Sequence, residues 1–203
     1  VKIDTAGTAR EYVAFILTGN GRQDIKILEV ICEKYDHERV LAYPKLPATG
    51  GKTGLAVIDS AVGIFEHIHG EIVVLLLIDK EHVKDINTFE KELLAHGFRV
   101  LEKKPCSSGY CVMFIVSRGP KQGLIILAIQ GKDKNLEENL SDLIYLRFRE
   151  KVEPEKQALR KWLREQGRTS LKKLIEETNI ETIEKAFPAL TDALKFLVQR
   201  TRG

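Results

Sequence analysis

Asp79 and Glu81 stand two residues apart where the most apolar run of the chain, residues 72–78, gives way to polar residues. Side chains two apart on a strand point the same way, so a strand ending here directs both carboxylates to one side. Held together, they repel, and the ion that best stabilises them is a hard cation with oxygen ligands, Mg²⁺ or Mn²⁺. The plainer assignment is that Asp79 caps the next helix and Glu81 favours its positive end. A second candidate is the loop Thr49-Gly50-Gly51-Lys52-Thr53-Gly54, where free amides and one ammonium attract an anion. It does not fit the nucleotide-hydrolysing pattern Gly-x-x-x-x-Gly-Lys-Ser/Thr, whose first glycine would fall on Leu46. The alternative is a flexible loop with one solvated lysine. A third candidate is Thr18-Gly19, which closes the apolar run 12–17, with Asn20 and Asp24 close behind.

Other residue types carry less. His67 and His69 read as cap and surface residues, and His82 as a solvated residue at a helix start. Ser107-Ser108-Gly109 lacks the strand–turn–helix setting of a nucleophile elbow. Cys106 and Cys111 can pair, or bind a metal with help from elsewhere. Their four intervening residues and the lack of a nearby histidine argue against a structural zinc site. With Cys32 the count is odd, in a chain long enough to fold without staples, which points to a reducing, cytoplasmic setting.

The elements that must position these residues follow from periodicity. Residues 12–17 are apolar throughout, as in a strand covered on both faces, and Ile27, Leu28, Ile31 and Tyr35 then take helical spacing. A short strand over 39–43, a Pro/Gly loop over 44–54 and an apolar helix over 55–68 lead to the strand at 72–78. A helix from Ile86 to His96 and strands at 98–101, 110–116 and 124–129 follow, the last two joined by a turn-rich link. Strands alternating with helices predict an α/β fold: a mainly parallel sheet sandwiched by helices, with a C-terminal hairpin. After Gly131 the pattern is helical only. Leu136, Leu140, Leu143, Ile144 and Phe148 form one stripe, Pro154 opens a helix carrying Leu159, Trp162 and Leu163, and Ser170 caps the next. Thr178 and Glu181 fit a capping box, and Pro188 starts a last helix. The expected division is an α/β domain over 1–131 and a helical tail over 132–203, packed on it or appended to it.

Composition bounds the function classes. The chain is 43% hydrophobic and 30% charged, which excludes a disordered or low-complexity protein. No run approaches the roughly 18–20 apolar residues of a membrane span, so no membrane partner is expected. The net charge of +3 is too small to imply nucleic acid by itself. From residue 151 onward, however, there are 12 Lys and Arg against 8 Asp and Glu, so the tail offers either a solvated helical face or a modest phosphate-facing surface for DNA or RNA.

With these residues in view, the chain resembles the topoisomerase–primase (TOPRIM) domain over about residues 10–145. The run from Phe15 to Asp24 resembles that family's first motif, and Leu77-Ile78-Asp79-Lys80-Glu81 its second. The resemblance implies a compact parallel α/β domain that binds Mg²⁺ at Asp79 and Glu81 for phosphoryl chemistry on nucleic acid. Gly50, Gly51 and Lys52 match a glycine-rich loop common in relatives among phage-defence nucleases and uncharacterised archaeal proteins. A late helical glutamate of the family would be Glu137 or Glu138. Two departures stand out. Thr18 replaces the family's first-motif Glu, and Glu81 stands for its second Asp. A threonine hydroxyl does not transfer protons near neutral pH. Either Asp24 takes that role or catalysis has been lost. The expected function is therefore Mg²⁺-dependent phosphoryl transfer or cleavage on nucleic acid. The alternatives are a non-catalytic nucleic-acid- or protein-binding module on the same scaffold and a small nucleotide-binding enzyme using Gly50, Gly51 and Lys52.

Overall fold

A computed structural model describes residues 1–5, 11–19, 22–35, 40–42, 52–168 and 170–200. Its strands are β1 (Lys2–Asp4), β2 (Ala14–Thr18), β3 (Val40–Ala42), β4 (Ile72–Asp79), β5 (Arg99–Pro105), β6 (Cys111–Arg118) and β7 (Lys121–Gln130). They form one sheet in the order β1-β3-β2-β4-β7-β6-β5. From β1 to β7 in that order every neighbouring pair is parallel, whereas β6 is antiparallel to both β7 and β5. The protein is thus α/β with a mainly parallel sheet. All of β4 is buried, as its Val/Leu/Ile run requires.

Strand parity sorts the core into two layers. Val73, Leu75 and Leu77 of β4 face one side, packed in the same cluster as α1 (Arg22–Glu33) and all the helices after β7. These are α4 (Leu136–Phe148), α5 (Lys156–Glu165), α6 (Leu171–Glu176), α7 (Ile180–Ala186) and α8 (Pro188–Arg200). Ile72, Val74, Leu76 and Ile78 face the other side, against α2 (Ile58–His67) and α3 (Ile86–Ala95). Residues after 131 therefore cover one face of the sheet and share a single core with the strands.

Several elements differ from the sequence reading. β1 is too short to show a period and exists through its pairing with β3. The stretch 55–68 divides into a 3-10 turn (Gly54–Val57) and α2. β5 continues to Pro105 because it pairs with β6 as far as Val112, although its mostly exposed side chains carry little apolar signal. Pro154 precedes α5, whose N-cap is Glu155. The cap of α7 is Asn179, which accepts from Thr182 N, and not Thr178.

Candidate functional site

The carboxyl ends of β2 and β4 lie side by side, with Thr18 opposite Leu77. From β2 the chain leaves for β3 on one side; from β4 it leaves for β5 at the far edge of the other. This is the topological switch point at which open α/β sheets hold ligands. Gly19 N extends the pairing by donating to Leu77 O (2.8 Å), and Gly54 N donates to Gly19 O (2.9 Å). Both glycines are required by close approach. A Cβ on Gly19 would sit 2.9 Å from Gly54 O. Gly54 itself has φ +57°, and a Cβ there would meet the His82 ring at 3.0 Å. The end of β2, the turn before α2 and the turn after β4 are thereby drawn together.

Asp79 is buried and shares the parity of Leu77, so its side chain lies on the face covered by α4. Its Oδ1 accepts from Leu136 N (3.1 Å), the first residue of α4. The expectation that it caps the following helix is corrected: the turn Lys80–His82 receives no side-chain cap from it, and α3 is capped by Asp85. Glu81 is exposed, and its N–H donates to Lys134 O (2.8 Å), which ties the end of β4 to the segment leading into α4. His82 Nε2 lies 3.9 Å from Glu81 Oε1.

An open cleft of about 570 Å³ results, lined by Gly19, Thr53, Asp79, Glu81, His82, Lys134, Asn135, Glu137 and the segment 154–157. Glu137 sits in the first turn of α4, where the helix dipole favours a carboxylate, and pairs with Lys156 Nζ at 3.4 Å. Asn135, the N-cap residue of α4, makes no side-chain cap bond, and its buried Oδ1 has no hydrogen-bond partner among the described residues. Carboxylate and amide oxygens are the donor set a hard cation takes. Asp79, Glu81 and Glu137 do not, however, form a tight ligand triad. Among the described residues, the set of three metal-ligating side chains whose ligand atoms lie within 4.8 Å of one another is Cys106, Cys111 and Asp192.

The structure thus brings Gly19, Asp79 and Glu81 to one cleft, whereas Thr18 is buried and does not line it. Lys52 turns away: its ammonium pairs with Asp59 of α2, a hydrogen bond that, ahead of the opposing effect of burial, holds the Asp59 carboxyl below its ordinary value. Gly50, Gly51 and the side chain of Asp24 lie outside the described residues. Glu138 does not line the cleft; it accepts backbone N–H groups from residues 132–134. Sequence reasoning missed Asn135, whose one signal is its place just before the apolar stripe of α4, and Lys134, Glu155 and Lys156, which stand on polar segments without a period.

Cys106 and Cys111 form a disulfide across the turn between β5 and β6, one of the two alternatives their spacing left open. Among the described residues, no helix is long and apolar enough to cross a membrane. Comparison with known proteins identifies no relative: no family model, curated protein or solved structure matches the chain.

Proposed function

We propose that the cleft at the ends of β2 and β4 binds Mg²⁺ or Mn²⁺ together with a phosphate-bearing ligand, and that the protein is a TOPRIM-like protein acting by phosphoryl transfer or cleavage on DNA or RNA in the cytoplasm. The observation that carries this reading is the meeting of Asp79, Glu81, Glu137 and Asn135 on one cleft at the switch point. Glu81 and Glu137, with Asn135, would hold the ion beside Asp79. Lys134 and Lys156 would face the phosphates. A bound divalent ion supplies Lewis-acid polarisation of a phosphoryl oxygen. The weakly basic surface after residue 151 adds a sequence-independent attraction for nucleic acid.

A second reading, a non-catalytic nucleic-acid- or protein-binding module, is favoured by Thr18, which offers no proton-transfer group where the resembled family has an acid. The nucleotide-binding reading loses its support from Lys52, which pairs with Asp59.

Glu81→Ala tests the site, because Glu81 is exposed and its structural bond is made by its backbone. Mn²⁺ titration followed by electron paramagnetic resonance is expected to show binding to the wild-type chain and at least about tenfold weaker binding to the variant, the loss a single ligand or its supporting shell causes. Equal response in the two proteins overturns the metal site. Metal binding without Mg²⁺-dependent cleavage of DNA or RNA selects the non-catalytic module.

A further inference from the structure

Cys106 and Cys111 are both buried, with Cα atoms 5.2 Å apart, and the turn between them lies against Asp192 of α8. Asp192 is only 2% exposed. Its Oδ1 accepts from Ser108 N (2.9 Å) and its Oδ2 from Tyr110 N (3.1 Å), and Oδ2 lies 3.8 Å from Cys111 Sγ. Among the described residues Asp192 makes no ion pair. A buried carboxylate without a counter-charge is costly, and the two backbone donors leave lone pairs on both of its oxygens.

We propose that the reduced protein binds a thiophilic divalent cation, Zn²⁺, through the Cys106 and Cys111 thiolates and the Asp192 carboxylate, and that the disulfide is the oxidised, metal-free form of the same site. Two thiolates select Zn²⁺ over Mg²⁺. With Zn–S near 2.3 Å and Zn–O near 2.0–2.2 Å, a tetrahedral ion holds sulfur and oxygen about 3.5 Å apart. The observed 3.8 Å between Cys111 Sγ and Asp192 Oδ2 is close to that spacing. The two sulfurs need only separate from their bond.

The exchange balances. A thiol or phosphine reductant gives two electrons to the S–S bond, and two protons complete the thiols. Entry of the ion then releases both protons as the thiols become thiolates. Three protein ligands leave a fourth position for water. Asp192, Ser108 and Tyr110 line a cleft of about 440 Å³ through which ion and water can arrive. The spacing of these cysteines does not reveal the third ligand, which α8 supplies at Asp192.

Co²⁺ titration of the full chain tests the proposal, before and after phosphine reduction and removal of the reductant. The reduced wild-type protein is expected to develop near-ultraviolet thiolate-to-cobalt charge transfer that Zn²⁺ abolishes by displacement. The oxidised protein, with the same fold, is expected to show none. A Cys106→Ser, Cys111→Ser double variant should lose the band. Asp192→Asn should keep it with affinity lowered at least about tenfold, the loss that even outer-shell changes bring. No band in the reduced wild type, an equal band in the double serine variant, or undiminished affinity in Asp192→Asn each overturns the site as drawn.

Discussion

Glu138 Oε2 accepts three consecutive backbone N–H groups, from Lys132 (2.7 Å), Asp133 (2.9 Å) and Lys134 (3.0 Å), and so shapes the segment that carries Lys134 and Asn135 into the cleft. Burial pushes its carboxyl up, but those donors and the Asn135 amide outweigh burial and hold it below the ordinary glutamate value. A folded-state value below the unfolded one contributes stability that is present above the unfolded value and lost as pH falls through the folded one. Glu138→Gln is therefore expected to lower stability near neutrality, by an amount that solvent screening keeps modest, with the gap to wild type narrowing as pH drops through the carboxylate range. Urea unfolding of both proteins across that range measures it; a gap that does not change with pH would show that the charge is not what organises the loop. The two neighbouring glutamates thus divide the work, Glu137 lining the cleft and Glu138 building its wall.

At the scale of elements, the short helices after β7 depend on their ends. Ser170 Oγ accepts from Lys173 N (3.2 Å) at α6, and Asn179 Oδ1 accepts from Thr182 N (2.8 Å) at α7. Thr178, one residue before the cap of α7, is buried. Its hydroxyl donates to Leu174 O (2.6 Å) and accepts from Arg147 Nη1 (3.1 Å), closing α6 and joining it to α4. The capping-box pattern at Thr178 and Glu181 marked the right boundary and the wrong residue, because tertiary partners claim Thr178. Asn179→Ala is expected to lower stability by about 1 kcal/mol, read as a shift in the denaturant midpoint at unchanged slope. An unchanged midpoint would remove Asn179 as the cap that matters.

For the molecule as a whole, the sheet has no finished face without the helices that follow it. Leu75, Leu77, Met113, Ile126 and Ala128 are buried in the same cluster as Leu140, Ile144, Leu190 and Leu194. Asn139 adds a polar link, accepting from Gly131 N (2.7 Å) and donating to Ala186 O (2.7 Å). A chain ending at Gly131 would open that face to water, at a cost of about 25 cal/mol for each Å² of apolar surface exposed. It is expected to bind a hydrophobic dye and to show no cooperative thermal transition. A cooperative transition in the truncated chain would establish that residues 1–131 fold alone. The same dependence places the candidate cleft between sheet and helices, since β4 supplies Asp79 and α4 supplies Glu137.

The amino-acid sequence by itself determined the central strand, the alternation of strand and helix before residue 100, and that Thr18-Gly19 and Asp79-Glu81 each close an apolar strand. Each of these follows from local period: an apolar run must be covered on both faces, and the polar residues closing it must emerge at its end. What only the tertiary structure decided is which distant group meets each polar side chain. Asp79 meets Leu136 across 57 positions, and Cys111 meets Asp192 across 81. Lys52 goes to Asp59 rather than to the cleft. Such pairings depend on how helices seat on the sheet. That seating is set by the summed burial of apolar side chains, and no spacing along the chain records it.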